Sequence, residues 1–493
     1  MSTEILKFQA TRMISAFLPI MNDPDAVKAK FEEIEIAPPV AQSVDGFNNR
    51  IVCPDWWMRT LAKKRARDQE EQSINQGFVK RGKEIYCSDT TVEKVQSKKI
   101  LAKKFMDEKI AVSDQGDEVS MLDLLSSSIA NPDNRLAELM VRMTGFQDYA
   151  RKKDHVADFY TLTTPSKYHK YKGQGFNPKH QHNPKEGQKY LVSIWAKIRA
   201  QFSKHNIKVY GFRVAEPHHD GTPHWHMLLF MKPEYRVLVR ELLHKYACDE
   251  SSAELNHTSC CCPMHGKAQY KKPALCPEHA LRPKGLADCS VRFDYVELDI
   301  ENGSAAGYIA KYISKNLGFA VGSDSEDKTQ STCQTFDRVQ SWSATWGIRQ
   351  FQQIGGSSVS IWRELRKLKE EDLIEDQLIE RARLAADDSD WALFLEIMGG
   401  ADAKRIEQRI GLLKKNKIDT ETGELKLNRY EEFIVRVVGI CTHANEVITR
   451  LKEWQIVSKS AHDSEKKESA NAGEGEARRM AFSSTWSPVI NCN

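Results

Sequence analysis

The chain has 493 residues, of which 40% are hydrophobic and 28% charged, enough for more than one buried core beneath a charged surface. Its formal net charge of +4 excludes a protein that is basic over its whole surface, so any basic footprint for nucleic acid must be local. The eleven cysteines occur without a secretory signal pattern, which favours metal binding or reduced thiols over disulfides. With no apolar run of membrane-spanning length, we expect a cytoplasmic protein without a membrane partner.

Residues 1–150 are predicted to form a mostly helical N-terminal region, to which the sequence assigns no chemistry. Its clearest element is a helix over 131–145, where Asn131 or Asp133 can cap the first turn. Apolar side chains recur there at helical spacing, and Gly145 is predicted to end the helix.

Residues 151–330 are predicted to form one α+β domain. Alternating polar and apolar residues predict strands at 159–163, 207–214, 224–230 and 291–298, with helices at 190–202 and 307–317. Since strands and helices segregate, we expect a central antiparallel sheet with flanking helices.

The remaining chain is predicted to be a helical C-terminal region over 331–457, followed by a tail over 458–493. Trp391–Met398 and Tyr430–Val457 are among the predicted helices. The tail is polar and of low complexity, so we expect it to be disordered.

Two histidines on the predicted strand 224–230 are candidate metal ligands. His224 and His226 lie two residues apart, so their imidazoles project from the same face of the strand, a natural platform for a divalent metal. Glu216, at the end of the preceding strand, is the candidate third ligand if the turn folds it back. The alternative is a pair of ordinary strand histidines, and His218 and His219 are predicted to be surface residues of the turn.

Two tyrosines on the predicted helix 307–317 are candidate nucleophiles. Tyr308 and Tyr312 share one helix face because they are four residues apart, and Lys311 lies close to that face. A cation near a phenol favours the phenolate and attracts a phosphate, so the arrangement suits phosphoryl transfer. Either tyrosine alone could be an ordinary residue of an amphipathic helix, and the prediction depends on their occurrence together with the histidine pair.

These motifs resemble those of the HUH endonucleases, most closely the replication gene A proteins of tailed bacteriophages. Phe159–Thr163 is similar to the first motif of that family, a core strand. The histidine–hydrophobic–histidine motif corresponds to His224 and His226, and the two-tyrosine helix to Tyr308 and Tyr312. The likeness covers roughly residues 155–320, and it is the three motifs in this order that make it specific.

The resemblance implies an HUH nuclease core and a site-specific single-strand DNA endonuclease that also joins strands. One tyrosine would attack the origin phosphate and form a 5′-phosphotyrosyl intermediate, which starts rolling-circle DNA replication of a phage in its bacterial host cell. His224, His226 and, in some branches of the family, Glu216 would hold Mg²⁺ or Mn²⁺, and Lys311 would assist. The implied partners are single-stranded origin DNA and the host helicase and polymerase.

A Cys/His-rich insert at 257–289 departs from the core motifs. Cys262, His265, Cys276 and His279 form two ligand pairs with the spacing of a structural zinc site, and His257, Cys260 and Cys261 compete with them. The alternative is a solvent-exposed loop with reduced thiols.

Two other functions fit parts of the sequence. A conjugative relaxase or a single-strand transposase would use the same chemistry, but the paired tyrosines and the additional helical regions favour the replication initiator. A non-enzymatic, zinc-containing DNA-binding protein would account for the insert but not for the tyrosine helix. The sequence leaves the origin sequence, the order of the two tyrosines and the oligomeric state undetermined.

Overall fold

A computed structural model of the chain describes residues 3–173, 175–251, 255, 289–303, 305–309, 326–369, 375–419, 422–462 and 464. The helices are α1 (Thr3–Phe17), α2 (Pro24–Glu33), α3 (Val44–Ile51), α4 (Pro54–Asn75), α5 (Asp89–Asp107), α6 (Met121–Ser127), α7 (Pro132–Lys152), α8 (Pro184–Lys204), α9 (Arg236–Cys248), α10 (Glu326–Trp346), α11 (Val359–Leu365), α12 (Gln377–Asp387) and α13 (Trp391–Ile397). The strands are β1 (Lys109–Ser113), β2 (Glu118–Ser120), β3 (Val156–Thr163), β4 (Tyr171–Lys172), β5 (Gly175–Phe176), β6 (Val209–Pro217), β7 (Pro223–Met231), β8 (Phe293–Leu298), β9 (Phe351–Ile354), β10 (Gly411–Asn416), β11 (Val435–Cys441), β12 (Glu446–Ile448) and β13 (Trp454–Ser458). Helices and antiparallel sheets make this an α+β fold, as predicted.

A five-stranded antiparallel sheet with the order β8-β3-β7-β6-β9 forms the centre of the fold. Four of its strands are those predicted from alternation, and β9 is the additional edge strand. The tight β6–β7 connection is stabilised by Gly221, whose φ of +82° favours glycine, and by Trp342, whose Nε1 donates to the Gly221 carbonyl at 2.7 Å.

The sheet is covered on both faces, and the two faces carry different residues. Trp225, Met227 and Leu229 project into a core formed with α8, α9 and α10. Phe212, Leu228 and Phe230 project to the opposite face, where α7, α11, α12 and α13 pack. The prediction that Trp225, Met227 and Leu229 point away from the histidines into apolar packing is therefore confirmed, because strand side chains alternate.

The predicted end of the helix at Gly145 is wrong, since α7 continues to Lys152. Gly145 is buried inside the helix, and a Cβ built on it would lie 2.4 Å from the Cβ of Trp391. The glycine therefore permits close packing of α7 against α13 and does not act as a cap.

The predicted helix over Tyr430–Val457 is also wrong, because the segment contains the strands β11, β12 and β13. The sequence of β11 is rich in valine, whose β-branched side chain favours strands. At Gly439 the neighbouring strand approaches closely, and an added Cβ would lie 2.0 Å from the Val447 carbonyl oxygen. The helix predicted at Trp391–Met398 is present as α13.

The described chain forms two compact units. One contains the described residues up to Lys98 and those from Ile129 to Leu451, and the other contains Lys99–Ser128 together with the described residues from Lys452 onward. In the larger unit, Phe17, Phe31 and Trp57 form a separate aromatic core of the N-terminal helices. None of the helices described is both long and apolar enough to cross a bilayer.

Candidate active site

The candidate ligands Glu216, His224 and His226 converge on one face of the sheet. Glu216 lies directly opposite His224 in the β6–β7 pairing, so the tight turn returns the carboxylate to the histidine pair as predicted. The Nε2 atoms of the two histidines are 2.9 Å apart, and His226 Nε2 lies 3.8 Å from Glu216 Oε2. One donor atom from each residue lies within 4.8 Å of the other two.

Two nitrogen donors and one carboxylate form a donor set that suits a divalent cation. Glu216 and His226 are only 4% and 7% exposed, and a buried carboxylate requires a positive or hydrogen-bonding partner. The geometry therefore fits a cation held by these three side chains.

β3 supports the histidine pair from the adjacent strand. Thr161 lies opposite His226, and its Oγ1 is 3.1 Å from His226 Nδ1. With a cation on Nε2, the Nδ1–H would donate to this hydroxyl, which fixes the tautomer and the ring orientation. Phe159, two residues earlier, stacks on the His226 ring at 5.5 Å between centroids.

Tyr308 lies close to this cluster. Residues 305–309 are helical, and Ile309 is buried in the core, as predicted, while Tyr308 is 37% exposed. The Tyr308 ring contacts Phe159 edge-on at 4.7 Å between centroids. Phe159 thus contacts both a candidate metal ligand and a candidate nucleophile.

The beginning of the Tyr308 segment is attached to α7. The buried side chain of Gln147 accepts a hydrogen bond from the Ala306 backbone N–H at 3.0 Å. Arg151 Nε donates to the Ile300 carbonyl at 2.7 Å. Both bonds position the chain just before Tyr308.

Several predicted site residues lie outside the described part of the chain. These are Lys311, Tyr312, Cys262, His265, Cys276 and His279. Their predicted roles stay predictions.

The surface position predicted for His218 is wrong, whereas His219 is exposed as expected. The half-buried His218 ring lies 4.2 Å from the His224 ring and 5.0 Å from the His169 ring. The turn folds back over the strand, so proximity in sequence to the histidine pair becomes proximity in space. A spacing rule for strand residues cannot show this, because His218 precedes the strand.

The Asp220 carboxylate interacts with His169 and His218 of this group. Burial raises the pKa of its carboxyl, but a hydrogen bond from His169 and the charges of His169 and His218 outweigh that effect and hold the pKa well below its usual range. The carboxylate also accepts from the backbone N–H groups of Lys170 at 2.9 Å and Thr222 at 3.1 Å. The negative charge of Asp220 therefore stabilises the neighbouring imidazoles in position.

A basic cavity of about 530 Å³ adjoins these imidazoles. Its lining includes Lys80, Arg81, His169, Tyr171 and His218. Cations beside the half-buried ring of Tyr171 are suited to a phosphate backbone with unpaired bases. No local sequence pattern marks this cavity, since its lining residues come from three separate segments.

The profile of the family described as Bacteriophage replication gene A protein (GPA) matches residues 20–319. The chain belongs to this family. It is 36% identical over 429 residues to the "Probable replication protein P12" of Pseudoalteromonas phage PM2, covering 84% of this chain and 60% of that protein. It is 33% identical over 446 residues to the "Replication gene A protein" of Escherichia phage 186, covering 88% of this chain and 58% of that protein.

The name of a third relative includes an enzymatic activity. The "Probable replication endonuclease from prophage-like region" of Shigella boydii serotype 4 (strain Sb227) is 28% identical over 436 residues, covering 85% of this chain and 50% of that protein. The chain thus spans between 50% and 60% of the length of these three relatives. No solved structure matches the chain.

Proposed function

We propose that this gene A family member is a metal-dependent, site-specific DNA endonuclease that nicks a single strand through tyrosine and starts rolling-circle replication. One observation carries the proposal. Phe159 contacts both His226 of the three-donor cluster and the candidate nucleophile Tyr308, on one face of one sheet. The names of the relatives, which include a replication endonuclease, agree with this reading.

Glu216, His224 and His226 would hold a divalent cation, Mg²⁺ or Mn²⁺. When bound, such a cation supplies positive charge that polarises the scissile phosphate. Thr161 orients the His226 ring, and the Asp220–His169–His218 group supports the ring of His224 from the other side. The basic cavity would bind the DNA backbone beside the reacting phosphate.

The proposed reaction is a phosphoryl transfer. The Oη of Tyr308 or Tyr312 attacks phosphorus, and the P–O3′ bond breaks as the O–P bond to tyrosine forms. The phenolic proton is lost and the departing 3′ oxygen is protonated, which leaves a free 3′-OH and a 5′-phosphotyrosyl ester. Attack by a 3′-OH on that ester reverses the step and joins strands without ATP, and Lys311 would assist as a nearby cation.

The biological setting follows the same proposal. In the cytoplasm of a bacterial host, the freed 3′-OH would prime a host polymerase while a host helicase opens the duplex. A second tyrosine would cut the regenerated origin so that the displaced strand can be closed.

A covalent-capture assay tests the mechanism. The full chain is mixed with single-stranded oligonucleotides tiled across the cognate genome, labelled on the 3′ side, with Mg²⁺ or Mn²⁺, and separated on a denaturing gel. We expect a labelled protein band that disappears with EDTA, in His224→Ala/His226→Ala, and in Tyr308→Phe/Tyr312→Phe. The two single tyrosine variants then rank the nucleophiles.

A matched variant separates loss of the nucleophile from loss of structure. Tyr235 is half-buried against the opposite core, and Tyr235→Phe should retain the band. A band that persists in the double tyrosine variant, or no band from any oligonucleotide, would overturn the proposal.

A further inference from the structure

A second cluster of metal-type ligands lies on the opposite face of the sheet. His244 and Cys248 are one turn apart on α9, so they share a helix face. Cys289 begins a short 3-10 turn, Cys289–Val291, that leads into β8 at Phe293. The Nε2 of His244 lies 3.3 Å from the Sγ of Cys248, and one donor atom of each of the three residues lies within 4.8 Å of the others.

We propose that His244, Cys248 and Cys289 bind a structural zinc ion. Zinc–sulfur bonds of about 2.3 Å and zinc–nitrogen bonds of about 2.0–2.1 Å in a tetrahedron place neighbouring donors roughly 3.5–3.8 Å apart. The observed donor atoms therefore need to move by only a few tenths of an ångström to about one ångström. One imidazole and two thiolates are the ligands that structural zinc sites use, and the fourth ligand is not assigned.

Burial distinguishes this cluster from reactive surface thiols. Cys248 is 0% and Cys289 2% exposed, so neither is placed to act as an exposed nucleophile. A buried thiol can also belong to a core without binding a metal, as Cys87 illustrates. Its Sγ donates to the Arg338 carbonyl and burial raises its pKa strongly, and the described residues place it in no such metal-type group.

The position of the cluster gives the ion a structural role. The ion would join the end of α9 to the start of β8, where the His244 ring already meets Phe293 edge-on at 5.5 Å. β8 pairs with β3, the strand that carries Phe159 and Thr161. A zinc ion at this point would stabilise the edge strand β8, which pairs with the strand that supports the histidine pair. It would share no ligand with the Glu216, His224 and His226 site.

The site differs from the one predicted within the insert. Cys262, His265, Cys276 and His279 share none of its three ligands, so each set can be tested alone. The inference also stands apart from the proposed nuclease function, because its readouts are metal content and thiol protection.

Metal analysis gives the first test. The full chain is expressed with zinc, purified without chelators, and its zinc content is measured by mass spectrometry. Cys248→Ala/Cys289→Ala should contain about one zinc ion per chain less than the unaltered protein. The matched control Cys87→Ala removes an equally buried thiol and should retain all zinc. Equal zinc content in the double variant would overturn the proposal.

Differential alkylation of the unaltered chain tests the site even if the double variant does not fold. Peptides containing Cys248 and Cys289 should be unlabelled in the zinc-loaded protein, labelled after a strong chelator, and protected again when zinc is restored. Cys87 should stay unlabelled throughout. Labelling of Cys248 and Cys289 that does not respond to chelator or zinc would show that burial alone governs these thiols and would overturn the proposal.

Discussion

The hydrogen bond between Thr161 and His226 offers a sensitive test of the proposed metal centre. Thr161→Val keeps the β-branched shape in a strand and removes only the hydroxyl that lies 3.1 Å from His226 Nδ1. A hydrogen bond of this kind contributes about 0.5–1.5 kcal/mol, or roughly 2- to 12-fold in affinity. Loss of a partner behind a metal-bound histidine typically costs about 10- to 100-fold. We therefore expect the apparent affinity for Mn²⁺ to fall by about 10-fold.

The assay is the rate of covalent capture as a function of Mn²⁺ concentration. The curve for Thr161→Val should shift to higher metal concentration while the rate at saturating metal stays close to that of the unaltered chain. Thr163→Val is the matched control, since Thr163 is half-buried on the same face of the same strand and pairs with His224. An unshifted curve for Thr161→Val, or an equal shift in Thr163→Val, would refute the reasoning.

Three further predictions concern residues around the sheet. Gln147→Leu removes the acceptor before the Tyr308 segment, so covalent capture should slow at least several-fold at saturating metal; an unchanged rate would contradict this positioning role. Asp158→Asn breaks the fully buried ion pair with Arg240 and should lower the free energy of unfolding by about 3–5 kcal/mol in urea titrations, whereas a change below about 1 kcal/mol would contradict it. The hydrogen bond from Arg50 lowers the pKa of the Glu432 carboxyl to about 2, because it outweighs the opposing effect of burial. The stabilisation that this carboxylate provides is therefore complete above the unfolded pKa of about 4.3 and is lost as the pH falls through about 2. The difference in melting temperature between the unaltered chain and Glu432→Gln should therefore shrink over that range, and a constant difference would count against the pair.

The sheet could be predicted from the sequence because its strands carry a regular signal. Residues 224–227 alternate between imidazole and apolar side chains, and a period of two residues indicates a strand. The return of Glu216 to His224 also followed from the sequence, since a short turn between two antiparallel strands leaves few registers.

Other features depend on contacts that a local pattern does not contain. Glycine is common at helix ends, and only the position of Trp391, far away in sequence, shows that Gly145 instead permits close packing of α7 against α13. The segment 430–457 contains helix-compatible charges, while its strands pair with partners elsewhere in the chain: β11 pairs with β10, and β13 pairs with β1. His244 and Cys248 did carry a local signal, an i,i+4 ligand pair, but Cys289, at the far end of the Cys/His-rich insert, completes the cluster.

The position of Phe159 explains why three individually weak motifs are informative together. A strand with an aromatic residue, a histidine pair and a tyrosine helix are each common in proteins without nuclease activity. Here the buried Phe159 ring packs against His226 on one side and Tyr308 on another, so its size determines how far apart those two rings lie. In the proposed mechanism this separation would have to be held closely, because misplacement by about 1 Å can cost on the order of 100-fold in rate. Under the proposed mechanism the first motif would therefore set the spacing between the other two, which is why all three would be needed together.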